Sequence, residues 1–525
     1  MSATLDNKMP KGIPYIIVNE FAERFCFYGI NSILTIYMVQ FLHFTDAHAA
    51  SWQSLFKAGA YFFPMFGAIV SDVFWAKFRT IITFSTVYVA GCFTLALSST
   101  SGGLALGMFL VAFGTGGIKP CVSTNVGDQF TAKNQHLIER AFSWFYLAIN
   151  AGSSISIYFC PELLNGPGPK YAFGVPGVMM LVATVVFWLG RRKFAVVPPA
   201  GKAWLQEAFS ADGLKLIGRL LIIYFFVACF WMLWDQSNGN TWTLQAQSSL
   251  MDKNLGFGIT LLPAQLQVVN GLFILLLVPI FSYGIYPLLG KFFTVTPLRK
   301  IGIGLFTIAS SFVIVGWIEQ QIQDGHSVSM WWQIFAYVVL TAAEVLVSIT
   351  ALEYSYKQAP LRMKSFIMAL FLLSTSVGNL MIAAVNQAMI KPLEAQQVYT
   401  GDETWVKLAS VEQFVTGQKI DFTGDNGVQV LQAGGKTAPL EGTFLIQAID
   451  VESHRVKLMD VVNRQGLATQ GDYKPGGQVS TYYLVGPAYF YFFVKVMLAI
   501  SVVFIFVASM VKEKTFVRQD AEAAA

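Results

Sequence analysis

The chain has 525 residues, 55% of them hydrophobic and only 12% charged, where an ordinary soluble domain carries about 25% charged residues. That balance excludes a water-soluble globular protein and places the chain among polytopic membrane proteins; a net charge of +5 is too mild to call for a nucleic-acid partner. Cys26, Cys92, Cys121, Cys160 and Cys229 all fall in or at the ends of apolar runs and offer neither a disulfide framework nor metal-ligand spacing.

Lys8 and Lys11 precede a full-length apolar run, not a short h-region with a small-residue cleavage site, so no removable signal peptide is expected. That first run, residues 13–42, is long enough to cross a bilayer and contains Glu20-Phe-Ala-Glu23-Arg24-Phe-Cys-Phe27-Tyr28-Gly29. On a helix Glu20, Glu23, Arg24, Phe27 and Tyr28 share one face. Two carboxylates and a guanidinium at that depth cost several kcal/mol unless they pair or face water, and such residues mark substrate or proton pathways. An ion pair that merely pins helices is the plainer alternative, but one Arg cannot neutralise two acids without a further cation.

The second span holds Ser54 and Lys57 on one face, Lys57 lying roughly 10 Å from one surface. At its end, Gly67-Ala-Ile-Val-Ser-Asp72 with Lys77 and Arg79 reads as an acid at a helix end beside basic residues, a structural latch. The fourth span supplies the candidate cation in Gly114-Thr-Gly116-Gly117-Ile-Lys119-Pro120-Cys121, where a lysine stands in an otherwise uncharged run and the proline can kink the helix. Counting about 1.5 Å per residue, Lys119 and Glu23 reach similar depths, so a cluster of Glu20, Glu23, Arg24 and Lys119 is feasible. It balances two negative and two positive charges, and frees a protonatable group when a substrate carboxylate claims a cation.

Apolar runs of spanning length start near Ile13, Ala50, Thr80, Leu104, Ala141, Tyr171, Leu216, Leu261, Ile303, Met330, Ser365 and Tyr482, which predicts about twelve transmembrane helices. Alternate loops concentrate Lys and Arg, among them Lys77, Arg79, Lys133, Arg140, Arg191, Arg192, Lys193, Arg299 and Lys300, and are therefore cytoplasmic with both termini. The basic, Pro198-Pro199-containing stretch at 196–215 reads as a cytoplasmic linker between an N-terminal six-helix bundle, 1–195, and a C-terminal bundle. The latter comprises 216–390 and a last span at 481–511, followed by a cytoplasmic tail at 512–525. Two such halves suggest a pseudo-symmetric transporter with its site at their interface. In the seventh span Asp235 lies roughly 28 Å from the cytoplasmic side, where it and Lys57 would each be cheaper to keep if they met as an external gate. The alternative is that Lys57 snorkels to the interface. From 391 to 480 the chain turns polar, with turn signals between the short runs 413–422, 428–431, 444–449 and 456–462. This predicts a small external β-rich domain, accessory or structural in role and free of catalytic motifs.

Six motifs together resemble the proton-coupled oligopeptide transporter (POT/PTR) family of the major facilitator superfamily. They are the first-span Glu20-x-x-Glu23-Arg24-Phe; Gly117-Ile-Lys119-Pro120-Cys121-Val followed by Gly127-Asp128-Gln129-Phe130; Phe142-Ser-Trp-Phe145-Tyr146-Leu-Ala-Ile-Asn150; Phe230-Trp231-Met-Leu-Trp-Asp235-Gln; Gln267-Val-Val-Asn270; and Glu344 to Glu353-Tyr with Gln358-Ala-Pro360. The resemblance spans nearly the whole chain except the β-rich insert. It implies an all-α major facilitator fold and a symporter importing di- and tripeptides by alternating access. Such a protein is no enzyme, needs no cofactor beyond the proton gradient, sits in the cell (inner) membrane among its lipids, and works as a monomer.

By matched position, Glu344 would hold the peptide amino terminus while Arg24 and Lys119 receive its carboxylate. Tyr28, Tyr61, Asn150, Trp231, Asn270 and Phe371 would line the pocket, and Glu20, Glu23, Arg24, Lys119, Asp235 and Lys57 would couple protons. A tyrosine, tryptophan or asparagine within a span can equally be helix–helix glue, and Glu353 near its helix end can simply pair with Lys357. Three positions depart from the family. Asn31 stands where many members have Arg, Ser54 where mammalian-type members have His, and Phe371 where Trp is common. A same-fold carrier of nitrate or another small acid, and a receptor or adhesion protein working through its β-domain, are the rival readings. The first would leave Glu344 with no amino group to hold, the second would leave the buried charges unexplained.

Overall fold

The computed structural model describes residues 8–510 apart from positions 132, 135–136, 196–198, 200–208, 257, 359–363, 433–436 and 476. Most of the expected linker therefore lies outside the described residues. Twelve long helical rods follow one another: α1 (Ile13–Gln40), α2 (Asp46–Ile69), α3 (Lys77–Leu97), α4 (Ser101–Asp128), α5 (Ile138–Asn165), α6 (Pro169–Leu189), α7 (Ala211–Ser237), α8 (Pro263–Leu289), α9 (Pro297–Gln323), α10 (Met330–Glu344, continued by a π turn at Val345–Ile349 and by Thr350–Gln358), α11 (Lys364–Ala388) and α12 (Pro487–Met510). Nine helices among the described residues are long and apolar enough to cross a membrane. The other rods, α1, α2 and α5, are the polar ones, and α1 and α2 bury Glu20, Glu23 and Lys57.

Local chemistry sets several of these starts. Thr100 and Ser210 cap α4 and α7 by accepting the amides of Gly103 and Gly213, and Thr45 accepts the amide of His48 at the start of α2. Because Thr45 supplies this cap, α2 begins at Asp46, ahead of Ala50, from which the apolar pattern would start it. Likewise α7 starts at Ala211, inside the stretch expected as linker, and α12 starts at Pro487, after a strand takes up Tyr482. In α4 the glycines permit tight packing: a Cβ on Gly116 would come 2.2 Å from the Cβ of Phe63 in α2. Pro120 sits inside the continuous α4 helix.

The apolar side chains form separate cores. One lies among α1–α6, one among α7–α12, and one inside the insert. The insert, the β-domain, leaves α11 and returns to α12. Its strands are β3 (Ile390–Leu393), β4 (Ala395–Tyr399), β5 (Trp405–Leu408), β6 (Lys419–Thr423), β7 (Gln429–Leu431), β8 (Thr437–Pro439), β9 (Gly442–Asp450), β10 (Arg455–Asp460), β11 (Thr469–Gln470) and β12 (Gln478–Tyr482), after a small pair β1 (Met251–Asp252) and β2 (Val328–Ser329) in the loops between spans. A seven-stranded sheet runs β3-β12-β6-β9-β10-β5-β4, beside a three-stranded sheet β11-β7-β8. The apolar run expected as a strand from 413 extends only from Lys419. A turn closed by the Phe414 amide on the Val411 carbonyl, then Gly417 at φ +82°, breaks the first part.

Hydrogen bonds that join the two helical halves gather from the middle of the rods toward the end that carries the β-domain. Gln265 donates to the Glu162 carboxylate at 2.8 Å and to the Tyr158 carbonyl at 3.0 Å, and Ser376 donates to the Ala58 carbonyl at 2.8 Å. The opposite end carries the loops with Lys77, Arg79, Arg191, Arg192, Lys193, Arg299 and Lys300.

Candidate functional site

The helix face read in α1 forms a charge cluster. Arg24 Nε lies 2.7 Å from Glu20 Oε1 and 3.4 Å from Glu23 Oε2, and the Thr115 hydroxyl of α4 donates to the other oxygen of Glu23. Both carboxylates are buried, Glu20 1% and Glu23 0% exposed. Lys119, one turn beyond Thr115 on α4, belongs to the same electrostatic neighbourhood as Glu23, Arg24 and Glu20. It does not pair with them by hydrogen bond or ion pair among the described residues. Its ammonium rests over the rings of Phe27, 3.8 Å from the centroid, and Tyr61, at 4.4 Å, and Nζ has no hydrogen-bond partner. The expected four-member cluster thus resolves into an Arg24-centred triad and a separate cation held by ring faces. Tyr28, on the same face of α1, packs edge-on to Phe27 at 5.5 Å.

The opposite half presents an acid. Glu344, the last residue of α10 before the π turn, accepts two neutral donors on one oxygen: Asn270 Nδ2 of α8 at 2.8 Å and the indole Nε1 of Trp234 of α7 at 2.9 Å. Asn270 is oriented by a second bond, to the Thr341 hydroxyl at 3.0 Å. Trp231 packs edge-on to Trp234 at 5.3 Å and leaves its own indole nitrogen without a partner. Glu344 carries no ion pair among the described residues. Tyr28 lies within electrostatic reach of both Arg24 in its own half and Glu344 in the other. Insertion of a π turn directly after Glu344 is a common mark of functional positions.

Two pocket candidates sit differently. Phe371 is 4% exposed and packs edge-on to Tyr224 within the core of the α7–α12 half. Asn150 is half-buried on α5 and spends its amide on the Tyr146 carbonyl at 2.8 Å. Asp72, Lys357 and Lys364 lie outside the described side chains; in the expected latch Lys77 pairs with Asp128 at 2.5 Å.

Lys57 and Asp235 do meet, with Nζ 3.1 Å from Oδ1, each side chain 2% exposed. Lys57 also donates to the carbonyls of Asp235, at 3.1 Å, and Asn238, at 2.5 Å, while Asn379 of α11 donates to the second Asp235 oxygen at 2.6 Å. Neutral groups complete this contact between the halves. Asn31 donates to Asn238 Oδ1 at 3.1 Å and accepts from Gln53 at 2.8 Å, Thr35 donates to the Gly239 carbonyl at 2.5 Å, and Asn240 donates to Ser54 at 2.9 Å. Gly239 is required there: its φ is +74°, and a Cβ would lie 2.6 Å from the Asn31 carbonyl oxygen. Of the three positions that depart from the family, Asn31 and Ser54 therefore both lie at this contact between the halves.

Trp234, Thr115 and Asn379 join the sites without having been singled out. Trp234 was legible as the residue one turn after Trp231; Asn379 has no sequence signal beyond being a polar residue in an apolar span.

The family profile described as PTR2, POT family, matches residues 78–211 and 202–406, more than half of the chain. Solute carrier family 15 member 2 of Oryctolagus cuniculus is 36% identical over 366 residues, 60% of this chain and 50% of that protein. Its namesake of Homo sapiens is 35% identical over 366 residues, again covering 60% and 50%. The chain thus matches about half the length of these curated relatives. Among solved structures, the in meso crystal structure of the POT family transporter PepTSo superposes with a TM-score of 0.67 at 34% identity, covering 73% of this chain and 90% of that one. On these matches, spread over both helical halves, the chain belongs to the POT family.

Proposed function

We propose that this chain is a proton-coupled symporter that imports di- and tripeptides by alternating access. The observation that carries the reading is the pair of unspent buried charges, one in each helical half. The Lys119 ammonium has no hydrogen-bond partner, and the Glu344 carboxylate is held only by the neutral donors Asn270 and Trp234. A short zwitterion satisfies both at once, its amino group on Glu344 and its carboxylate on Lys119 and Arg24. Each charge is far cheaper to bury when met by its opposite than when left alone. A carboxylate bound there draws cation away from Glu20 and Glu23, whose excess negative charge a proton then cancels, so loaded and empty carriers reorient more cheaply than half-loaded ones.

The excess of Lys and Arg in the loops at one end supports reading that end as cytoplasmic and the β-domain as external. The bonds gathered at the β-domain end then describe a carrier closed to the exterior, with Lys57–Asp235 as the bond that parts when it opens there.

The test is uptake of a labelled dipeptide into vesicles under an inward proton gradient. Unlabelled di- and tripeptides should compete strongly and N-acetylated peptides only weakly, while free amino acids and nitrate should not compete. Glu344→Gln should lower uptake by about 10²-fold or more with normal insertion, because the amide leaves a desolvated ammonium without a countercharge. Equal competition by N-acetylated peptides, or competition by nitrate alone, would overturn the reading.

A further inference from the structure

The β-domain enters from α11 and leaves into α12, so both of its covalent tethers belong to the α7–α12 half. Its other bonds to that half follow the same allegiance. The Val462 carbonyl accepts the Ser249 amide at 2.8 Å, and Arg464 donates to the Ile322 carbonyl at the end of α9 at 3.2 Å. Yet the domain also grips the opposite half. Lys419 of β6 forms an ion pair with Asp46 at 2.5 Å, and the Asp46 amide donates to the Thr443 hydroxyl of β9 at 2.9 Å. Thr443 in turn donates to Asp421 at 2.8 Å, whose other oxygen takes the Tyr482 hydroxyl, so the grip is anchored in the sheet. The pair is shielded, with the Asp46 side chain 11% and the Lys419 side chain 30% exposed.

Asp46 is the first residue of α2, the helix that carries Lys57 to its meeting with Asp235. Parting the halves at this end carries α2 away from the end of α7. A domain fixed to the α7–α12 half cannot follow, so its bonds to Asp46 must break in the same movement. A seam cavity of about 130 Å³, lined by Asp46 and Ala50 of α2, Gln245 and Glu319 of the other half, and Lys419 and Arg464 of the domain, marks where the three bodies meet.

We propose that the β-domain is a clasp: it holds the two halves closed at its own end, and the Lys419–Asp46 bond sets how often that end opens. The inference rests on the alternating-access reading but not on the identity of the solute.

Labelling tests it without any solute. Ala50 is 1% exposed, one turn below Asp46 and two turns above Lys57 on α2, so an Ala50→Cys variant of the full chain reacts with a membrane-impermeant maleimide only when this end opens; the five native cysteines are all buried. Adding Lys419→Met should speed labelling roughly tenfold, the scale of one lost charge-assisted bond. Asp46→Asn, which leaves the β-domain sequence intact, should do the same, and the two together should be no faster than either alone. Lys457→Met, whose lysine pairs with Glu403 inside the domain at 2.5 Å, should leave the rate unchanged. Unchanged labelling in both Lys419→Met and Asp46→Asn overturns the clasp, as does equal acceleration by Lys457→Met. Accelerated labelling in a protein whose uptake no peptide competes for would keep the clasp and overturn the peptide reading.

Discussion

Lys57 and Lys119 are both lysines of the α1–α6 half brought into the membrane interior, and their surroundings differ in kind. Around Lys57 every donor direction is used: a carboxylate oxygen and two carbonyls surround the ammonium, and Asn379 secures the carboxylate from behind. Lys119 has two aromatic faces and no hydrogen-bond partner. Cation–π contact recovers roughly 0.5–2 kcal/mol, well short of what taking an ammonium out of water costs. A buried charge that is fully met holds structure together, whereas one left short of partners is kept for something absent from the resting protein. The two sites are thus built from the same residue type under opposite rules.

Substituting each lysine by a methionine of similar length is the most direct way to break that comparison. Lys119→Met should lower dipeptide uptake by about 10²-fold while leaving thermal stability unchanged or raised, since it removes a desolvated charge and leaves Glu23 with Arg24 and Thr115. Lys57→Met should cost about 3–5 kcal/mol of stability, because Asp235 is left buried with only Asn379. Asp235→Asn should recover much of that loss in the double variant. Melting temperatures and uptake of the four proteins decide it: a melting-temperature drop in Lys119→Met as large as that in Lys57→Met would erase the distinction.

The two lysines also show where sequence reading succeeds and where it stops. That Lys57 and Asp235 should meet followed from depth counting and the cost of lone buried charges, and needed only helix rise and span order. Lys119 reached the right neighbourhood by the same counting, but its side chain lies against Phe27 and Tyr61 while Thr115 and Arg24 approach Glu23. Such a placement depends on packing between α1, α2 and α4, which periodicity does not encode. Phe371 shows a related limit: alignment to a family pattern gives a residue's place along the helix but not its packing, and Phe371 sits against Tyr224. The β-domain's existence was legible from turn signals, but its register was not. Neither was the grip on Asp46, which joins residues nearly four hundred positions apart.

Asp421 supplies a third case, outside the membrane-spanning rods: a buried acid met mainly by neutral hydroxyls. Burial pushes its carboxyl up from 3.8 to about 7; donation from Tyr482 and Thr443 and the charge of Lys419 pull downward, and Asp46 pushes further up. Because the folded value is raised, its contribution to stability is full below about pH 4 and is lost as pH rises through about 7. A shift of three units limits the loss to about 4 kcal/mol. Asp421→Asn should flatten the dependence, seen as hydrogen-exchange protection of β6 and β9 amides that no longer falls between pH 6 and pH 8. Protection that rises with pH in the parent protein would reverse the sign and place the burden on Lys419 instead.

The smallest effect probes the acid that is held by neutral donors but awaits a cation. Trp234→Phe removes the indole N–H that lies 2.9 Å from Glu344 Oε2, yet keeps a ring against Trp231 and leaves Asn270 bonded at 2.8 Å. One hydrogen bond to a charged group is worth about 1.5–3 kcal/mol, and the remaining amide still orients the carboxylate, so the net loss should fall near the lower bound. KM for a free dipeptide should then rise about tenfold with little change in maximal uptake, because the carboxylate is less well placed for the incoming ammonium. Weak inhibition by N-acetylated dipeptides, which bring no ammonium to Glu344, should not change. If the indole served only to fill space, phenylalanine would fill most of it and the free dipeptide would show no change either. An equal loss for free and N-acetylated peptides would instead mean that Trp234 shapes the cavity and does not position Glu344.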